Sequence, residues 1–257
     1  MMNSLKIAIV QTDLIWEAPQ KNLENLYAKI SNAEKADVYV LPEMFTTGFT
    51  MNAKQFAESM EGVSVAWMKN LAREKQSVIC GSLIINEEEN YYNRFVWVLP
   101  SGEVSSYNKR HTFTLAGEHK VYQKGEELLL LDYKGWKICP LICYDLRFPV
   151  WARNTKEYDV LLYVANWPQK RIQAWDALLK ARAIENMSYV VGVNRVGKDG
   201  NQIPYNGHSA IYNELGEQLI FSEKEEILMY TLEKSTLEAS RNHFKFLDDQ
   251  DDFSIHI

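Results

Sequence analysis

The sequence predicts an α/β protein in which two sheets carry helices on their outer faces. Short apolar runs rich in β-branched residues alternate with stretches of helical period, in the order β-α-β-α early and β-α-β later. Runs of consecutive strands punctuated by turn residues follow each of these units. No internal repeat, low-complexity segment or linker interrupts the chain, so residues 1–257 are expected to form a single domain.

Each element has a local reason. Residues 5–11 are mostly apolar and suit a first buried strand. Pro19 opens a helix whose apolar residues Leu23, Leu26, Tyr27 and Ile30 recur at three- and four-residue spacing. Residues 38–41 form the second strand, which ends at Pro42-Glu43. A second helix is expected over about 64–75, with Val65, Met68, Leu71 and Ala72 inward. Strands over 77–85, 92–99 and 104–107 follow, turned at 86–90 and at Pro100-Ser101-Gly102. Residues 108–125 mix polar, aromatic and basic types without a period and predict a long ordered loop, a class that is often functional. Residues 128–132 and 136–143 predict a hairpin about Lys134-Gly135. Then come a strand (160–164), a helix (169–186, with Ile172, Trp175, Leu178, Leu179 and Ile184), and a strand (189–194). Three further strands (208–213, 218–221, 225–231) and a short helix from about Lys234 complete the chain.

Composition narrows the function. The chain is 46% hydrophobic and 24% charged, ordinary values for a globular protein. A net charge of −6 argues against nucleic acid or an anionic membrane as the main partner. Part of that charge is Asp248, Asp249, Asp251 and Asp252, which read as a solvated tail because no EF-hand pattern surrounds them. Three cysteines, Cys80, Cys139 and Cys143, do not make a disulfide framework. No signal peptide and no membrane-length apolar run is recognised, so a soluble cytoplasmic protein is expected.

The chemistry centres on Cys143, a thiol at the end of an apolar strand, where open α/β sheets present groups to a cleft. A cysteine nucleophile needs a base, an electropositive group where an oxyanion forms, and groups that position substrate. Glu43, Lys109, Glu118 and Arg147 lie on comparable strand ends or loops. Each has a plain alternative: a solvated loop acid, an exposed basic pair with Arg110, a local cap, or an ion pair with Asp145. A Cys-His arrangement using His111, His119 or His208 lacks the papain-type signature around the cysteine. Zinc is disfavoured because Cys139 and Cys143 have no completing His or Cys cluster. Cys80 and Cys139 read as core.

Three stretches in order carry a resemblance: Leu41-Pro42-Glu43, then Tyr107-Asn108-Lys109-Arg110-His111 with Phe113 beyond, then Leu141-Ile142-Cys143-Tyr144-Asp145-Leu146-Arg147-Phe148-Pro149. Further echoes are Ala165-Asn166-Trp167-Pro168, Arg182-Ala183-Ile184-Glu185-Asn186 and Val193-Asn194-Arg195-Val196-Gly197. The sequence resembles the nitrilase, or carbon–nitrogen hydrolase, superfamily over nearly its whole length. The resemblance implies a four-layer α-β-β-α sandwich with two mixed sheets and outer helices. It also implies a Glu43-Lys109-Cys143 triad, with Glu118 as a second acid of the site. Within the superfamily, residues 143–151 look most like the omega-amidases, which act on the side-chain amide of 2-oxoglutaramate and related dicarboxylic acid monoamides. The segment from His243-Phe244 to Asp252-Phe253 resembles the ending of bacterial members. Val150 stands where many relatives have Glu, a departure at the pocket rim.

The implied reaction is amide hydrolysis through a thioester on Cys143. Glu43 serves as base and acid, and Lys109 with the Tyr144 backbone N–H receives the oxyanion. No metal or organic cofactor is expected. Arg147 is expected to hold the substrate carboxylate, since a guanidinium can do so bidentately. Phe45, Tyr144, Trp167 and Phe148 are expected as pocket walls. An amidase, nitrile hydrolase or N-carbamoyl amine hydrolase for another small molecule is the alternative, and an idle binding or scaffold protein is the alternative of another class. The family resemblance implies a homodimer or higher homo-oligomer. The helix over 169–186 could supply an interface or simply pack on its own sheet.

Overall fold

The computed structural model describes residues 3–256. Two six-stranded sheets dominate it. The first is built from β1 (Ser4–Gln11), β2 (Val38–Val40), β3 (Val78–Glu87), β4 (Asn90–Val98), β5 (Val104–Asn108) and β14 (Glu226–Glu233), in the order β14-β1-β2-β3-β4-β5. The second is built from β6 (Leu131–Tyr133), β7 (Trp136–Ile142), β8 (Val160–Ala165), β9 (Tyr189–Asn194), β12 (Ser209–Tyr212) and β13 (Gln218–Ser222), in the order β13-β12-β9-β8-β7-β6. Both are mixed. β1, β2 and β3 run parallel, as do β7, β8 and β9, and the outer strands join antiparallel.

Period-two alternation places the layers. Leu5, Ile7 and Ile9 of β1 enter the core between the sheets, whereas Ala8 and Val10 point to the helices on the first sheet. Those helices are α1 (Pro19–Ser31) and α3 (Val63–Lys75), which bury Leu23, Leu26 and Ile30, and Val65, Met68 and Leu71. Across the molecule α5 (Ile172–Asn186) buries Trp175, Leu179 and Ala183, and α6 (Lys234–Phe244) seats Leu237, in the cluster that includes the second sheet. This is the expected sandwich. No helix among the described residues is long and apolar enough to cross a membrane.

Several local expectations need correction. Residues 169–171 form a 3-10 turn before α5 begins at Ile172, and Ile184 of that helix is exposed rather than inward. Two 3-10 turns, Thr114–Ala116 and Glu118–Lys120, break the long loop. β6 is shorter than expected, and β12 starts after His208, whose φ of 62° ends the strand geometry there. Two short helices, α2 (Ala53–Phe56) and α4 (Pro149–Ala152), and the hairpin of β10 (Val196–Lys198) and β11 (Pro204–Asn206) went unread. Elements of three or four residues are shorter than any window in which a period can show.

Candidate active site

Glu43, Lys109 and Cys143 lie just beyond the carboxyl ends of β2, β5 and β7, where side chains leave the sheet and can face a cavity. Cys143 follows the last residue of β7 and has φ of 45°, in the left-handed region that a non-glycine residue occupies only when its surroundings impose it. It opens the 3-10 turn Cys143–Arg147, so the thiol projects from a sharp bend. Lys109 is held by its backbone on both sides: its N–H donates to the Asn93 carbonyl (3.0 Å) and its carbonyl accepts from Gly125 N–H (2.9 Å). A Cβ at Gly125 would stand 2.0 Å from the Asn108 carbonyl oxygen, so only glycine permits that approach.

The charged centre is buried. Glu43 and Glu118 are 0% exposed and Lys109 is 1% exposed. The Lys109 ammonium donates to Glu43 Oε1 at 2.9 Å and to both Glu118 oxygens at 2.9 and 3.0 Å. Asn93 Nδ2 bridges the two acids, donating to Glu43 at 2.8 Å and to Glu118 at 3.3 Å. Glu43 Oε2 accepts the Asn166 backbone N–H at 2.8 Å, and Glu118 also accepts the Phe113 N–H. Every carboxylate oxygen is therefore hydrogen-bonded, as buried charge requires. Burial alone would push Lys109 down, but the charges of Glu118 and Glu43, then of Cys143, hold it above its ordinary value. Burial pushes the Glu118 carboxyl up against the pull of Lys109, and Glu43 adds to the rise.

The thiol feels the same field. Burial, then the charge of Glu43, pushes Cys143 well above the usual thiol range; Lys109 opposes this, and Glu118 and a hydrogen bond to Glu43 reinforce it. Its Sγ also lies 4.0 Å from the Asn166 carbonyl. These influences favour the proton on the Cys143 sulfur.

Asp145, fully buried, ties the bend to the lysine loop. Its Oδ2 accepts from the Ile142 N–H (3.0 Å) and the Tyr107 hydroxyl (2.8 Å), and its Oδ1 from the His111 N–H (2.9 Å) while lying 2.8 Å from His111 Nδ1. The Tyr107 hydroxyl accepts in turn from Arg110 N–H and Trp151 Nε1, both at 3.1 Å. Asp145 is thus engaged by this network and makes no ion pair with Arg147. His111 stacks on Phe148 with ring centroids 3.7 Å apart, His208 is held between Asp176 and Glu223, and His119 is exposed. None of these three histidines lines the cavity that carries Cys143.

That cavity, about 640 Å³, has Lys109, Cys143, Tyr144, Arg147 and Trp167 on its wall. Arg147 is exposed to it, with its guanidinium 5.0 Å from the centroid of the Trp167 ring. Tyr144 packs against Phe113 (4.9 Å) and Phe148 (5.1 Å). Two expectations fail. Phe45 is fully buried against Trp67 in the core beneath α3, away from the cavity, because the turn after Glu43 directs it back under the first sheet. Phe148 stands behind Tyr144, taken up by His111. Sequence reasoning also missed Asn93 and the Asn166 backbone as holders of Glu43. Asn93 has no local signal, since it sits mid-strand in β4 and reaches the acids only through pairing with β3 and β5. Trp16, Phe49, Met51 and Tyr205 are among the other residues that line the cavity.

Comparison with known proteins identifies the family. The model of the carbon–nitrogen hydrolase family matches residues 6–242. The omega-amidase YafV of Yersinia enterocolitica is 43% identical over 254 residues, 98% of this chain and 99% of that protein. A 2-oxoglutaramate amidase of Bacillus subtilis is 34% identical over 226 residues, 86% of this chain and 87% of that one. Among solved structures, XC1258 from Xanthomonas campestris superposes with a TM-score of 0.96 at 40% identity, covering 99% of this chain and 100% of that one; it is a CN-hydrolase superfamily protein with an arsenic adduct in its active site. The chain belongs to the carbon–nitrogen hydrolase family and is an enzyme that cleaves carbon–nitrogen bonds by hydrolysis.

Proposed function

We propose that this enzyme hydrolyses the side-chain amide of a small dicarboxylic acid monoamide, 2-oxoglutaramate or 2-oxosuccinamate, to the acid and ammonia through a thioester on Cys143. The observation that carries the reading is the pairing, on one cavity wall, of the Cys143-Lys109 centre with Arg147, a guanidinium that makes no ion pair among the described residues. A free fork of N–H donors beside a nucleophile suits a substrate with a carboxylate a few bonds from its amide.

In this mechanism Glu43 takes the thiol proton and the thiolate attacks the amide carbon. The oxyanion is received by the Lys109 ammonium and the Tyr144 N–H. Protonation of Glu43 weakens its hold on Lys109 Nζ, which frees an ammonium hydrogen as the oxyanion appears. Glu118 stays on Lys109 and keeps it aimed. Glu43 then gives its proton to the leaving nitrogen and ammonia departs. A water activated by Glu43 attacks the thioester, the acid leaves, and the proton returns to sulfur. Donors fixed in a dry site stabilise such charge strongly; loss of one costs about 10²–10³ in turnover.

The test is an ammonia-release panel of 2-oxoglutaramate, 2-oxosuccinamate, glutamine, a nitrile and an N-carbamoyl amine. Turnover is expected on the first two, abolished by Cys143→Ala, with an acyl-enzyme mass shift in the parent protein. Preference for the nitrile or the carbamoyl amine overturns the substrate class. Arg147→Ala retaining near parental efficiency on 2-oxoglutaramate removes the carboxylate role.

A further inference from the structure

Arg147 is not the sole guanidinium on the cavity wall. Arg171 ends the 3-10 turn Gln169–Arg171 and lines the same cavity. Its guanidinium lies 5.1 Å from the centroid of the Phe113 ring, and Phe113 packs on Tyr144, the neighbour of the thiol. Trp167 touches both residues: its ring faces the Arg147 guanidinium, and its Nε1 donates to the Arg171 backbone carbonyl at 2.8 Å, anchoring the turn that carries Arg171. An aromatic seat fixes the plane of a guanidinium without consuming its N–H donors.

Those donors stay free of protein carboxylates. Among the described residues neither arginine forms an ion pair. The one acid among the cavity-lining residues, Asp199, is committed to its own hairpin. Its Oδ1 accepts from Asn201 N–H (2.8 Å) and Ile203 N–H (3.0 Å), and its Oδ2 from the Tyr205 hydroxyl (3.1 Å). A single carboxylate needs one fork, since two parallel N–H donors satisfy it. A 2-oxo acid head offers a further acceptor beside the carboxylate, the 2-oxo oxygen.

We propose that Arg171 is a specificity-determining residue that reads the 2-oxo oxygen of the acid head whose carboxylate Arg147 holds, so that the site selects 2-oxo acid monoamides over their saturated counterparts. The inference rests on the monoamide reading above and names which member of that class the site prefers.

The experiment compares kcat/KM for 2-oxoglutaramate and for glutaramate, the same skeleton without the 2-oxo group. It uses the full chain and Arg171→Ala, Arg171→Gln, Arg171→Lys and Lys170→Ala variants, each checked by thermal melting. Lys170 is the exposed neighbouring charge at the rim and controls for general electrostatics. In Arg171→Ala the ratio of the two efficiencies is expected to fall about ten- to a hundredfold, the loss expected for a hydrogen bond from a charged donor. The loss should lie mainly in KM, because Arg171 is not assigned to the reacting atoms. Lysine should recover part of it, having the charge but not the fork. Arg171→Gln carries the same test if the alanine variant does not fold. An unchanged ratio in a folded neutral variant overturns the assignment, and so does an equal collapse in Lys170→Ala. A parent enzyme that turns over glutaramate as well as or better than 2-oxoglutaramate overturns it while leaving the monoamide reading standing. Turnover of neither substrate removes that reading itself.

Discussion

Replacing Asp145 by Asn tests whether the nucleophile's bend and the lysine loop are held as one unit. The carboxylate is engaged on both oxygens: one accepts from Ile142 N–H and the Tyr107 hydroxyl, and the other accepts from His111 N–H with His111 Nδ1 beside it. An Asn side chain has one acceptor and one donor end, so either orientation turns an NH₂ toward one pair. The tyrosine hydroxyl can rotate and the imidazole can present a lone pair, but a backbone N–H cannot adapt. One orientation strands Ile142 N–H and the other strands His111 N–H. An unsatisfied buried donor costs about 1–3 kcal/mol, and the lost charge assistance brings the total to about 2–5 kcal/mol. That is a large share of a typical stability of about 5–15 kcal/mol. Urea denaturation should show a midpoint lowered by about 1–2 M at unchanged slope. Turnover of the folded variant should fall on the order of 10²-fold, the usual cost of misplacing a reacting group by about 1 Å. A midpoint within about 0.3 M of the parent, with turnover within about threefold, would refute the idea that Asp145 sets the Cys143–Lys109 geometry.

Three further outcomes are expected. Lys109→Met leaves Glu43 and Glu118 buried without a counter-ion; turnover should drop by about 10²–10³ or more, and thermal melting should show a loss of about 3–5 kcal/mol. Steady-state kinetics on the folded fraction separates the two effects. Phe45→Ala, in the core rather than the pocket, should cost about 3–5 kcal/mol of stability with KM unchanged; a selective KM rise would return Phe45 to the substrate wall. Alkaline stability should track the buried thiols. Burial, then Asp145, pushes Cys139 up to about 12, whereas an unfolded thiol titrates near 8.5. The folded state then holds the proton longer, so the contribution is full below about pH 8.5 and is lost as pH rises toward about 12. The urea midpoint should decline across that window, and less steeply in Cys139→Ala. An equally steep decline in that variant would remove Cys139 as a cause.

Much of the architecture was readable because it follows from short-range rules. The alternation that sends Leu5, Ile7 and Ile9 one way and Ala8 and Val10 the other is a property of adjacent residues, as is the three- and four-residue spacing in α1 and α3. Residues at strand ends, and the ordered motifs that contain them, pointed to Glu43, Lys109 and Cys143, and the family resemblance added Glu118; the fold gathers all four. The pocket walls were harder. Phe45 and Trp167 are both aromatics just past a strand, yet one enters the core and the other the cavity; local sequence does not encode which way the turn carries the side chain.

By itself the sequence determined the layer order and the strand ends at which Glu43, Lys109 and Cys143 stand. Their amphipathic patterns and motifs are local, and burial of apolar surface leaves few ways to stack them. Only the tertiary structure decided how those groups are partnered. Asn93 and Asn166 hold Glu43 from 50 and 123 residues away, Asp145 reaches His111 across 34, and Trp167 seats Arg147 while bonding the Arg171 backbone. These contacts join strands and loops that meet only when two sheets pack face to face, and a buried charge takes whichever donors that packing brings within 3 Å.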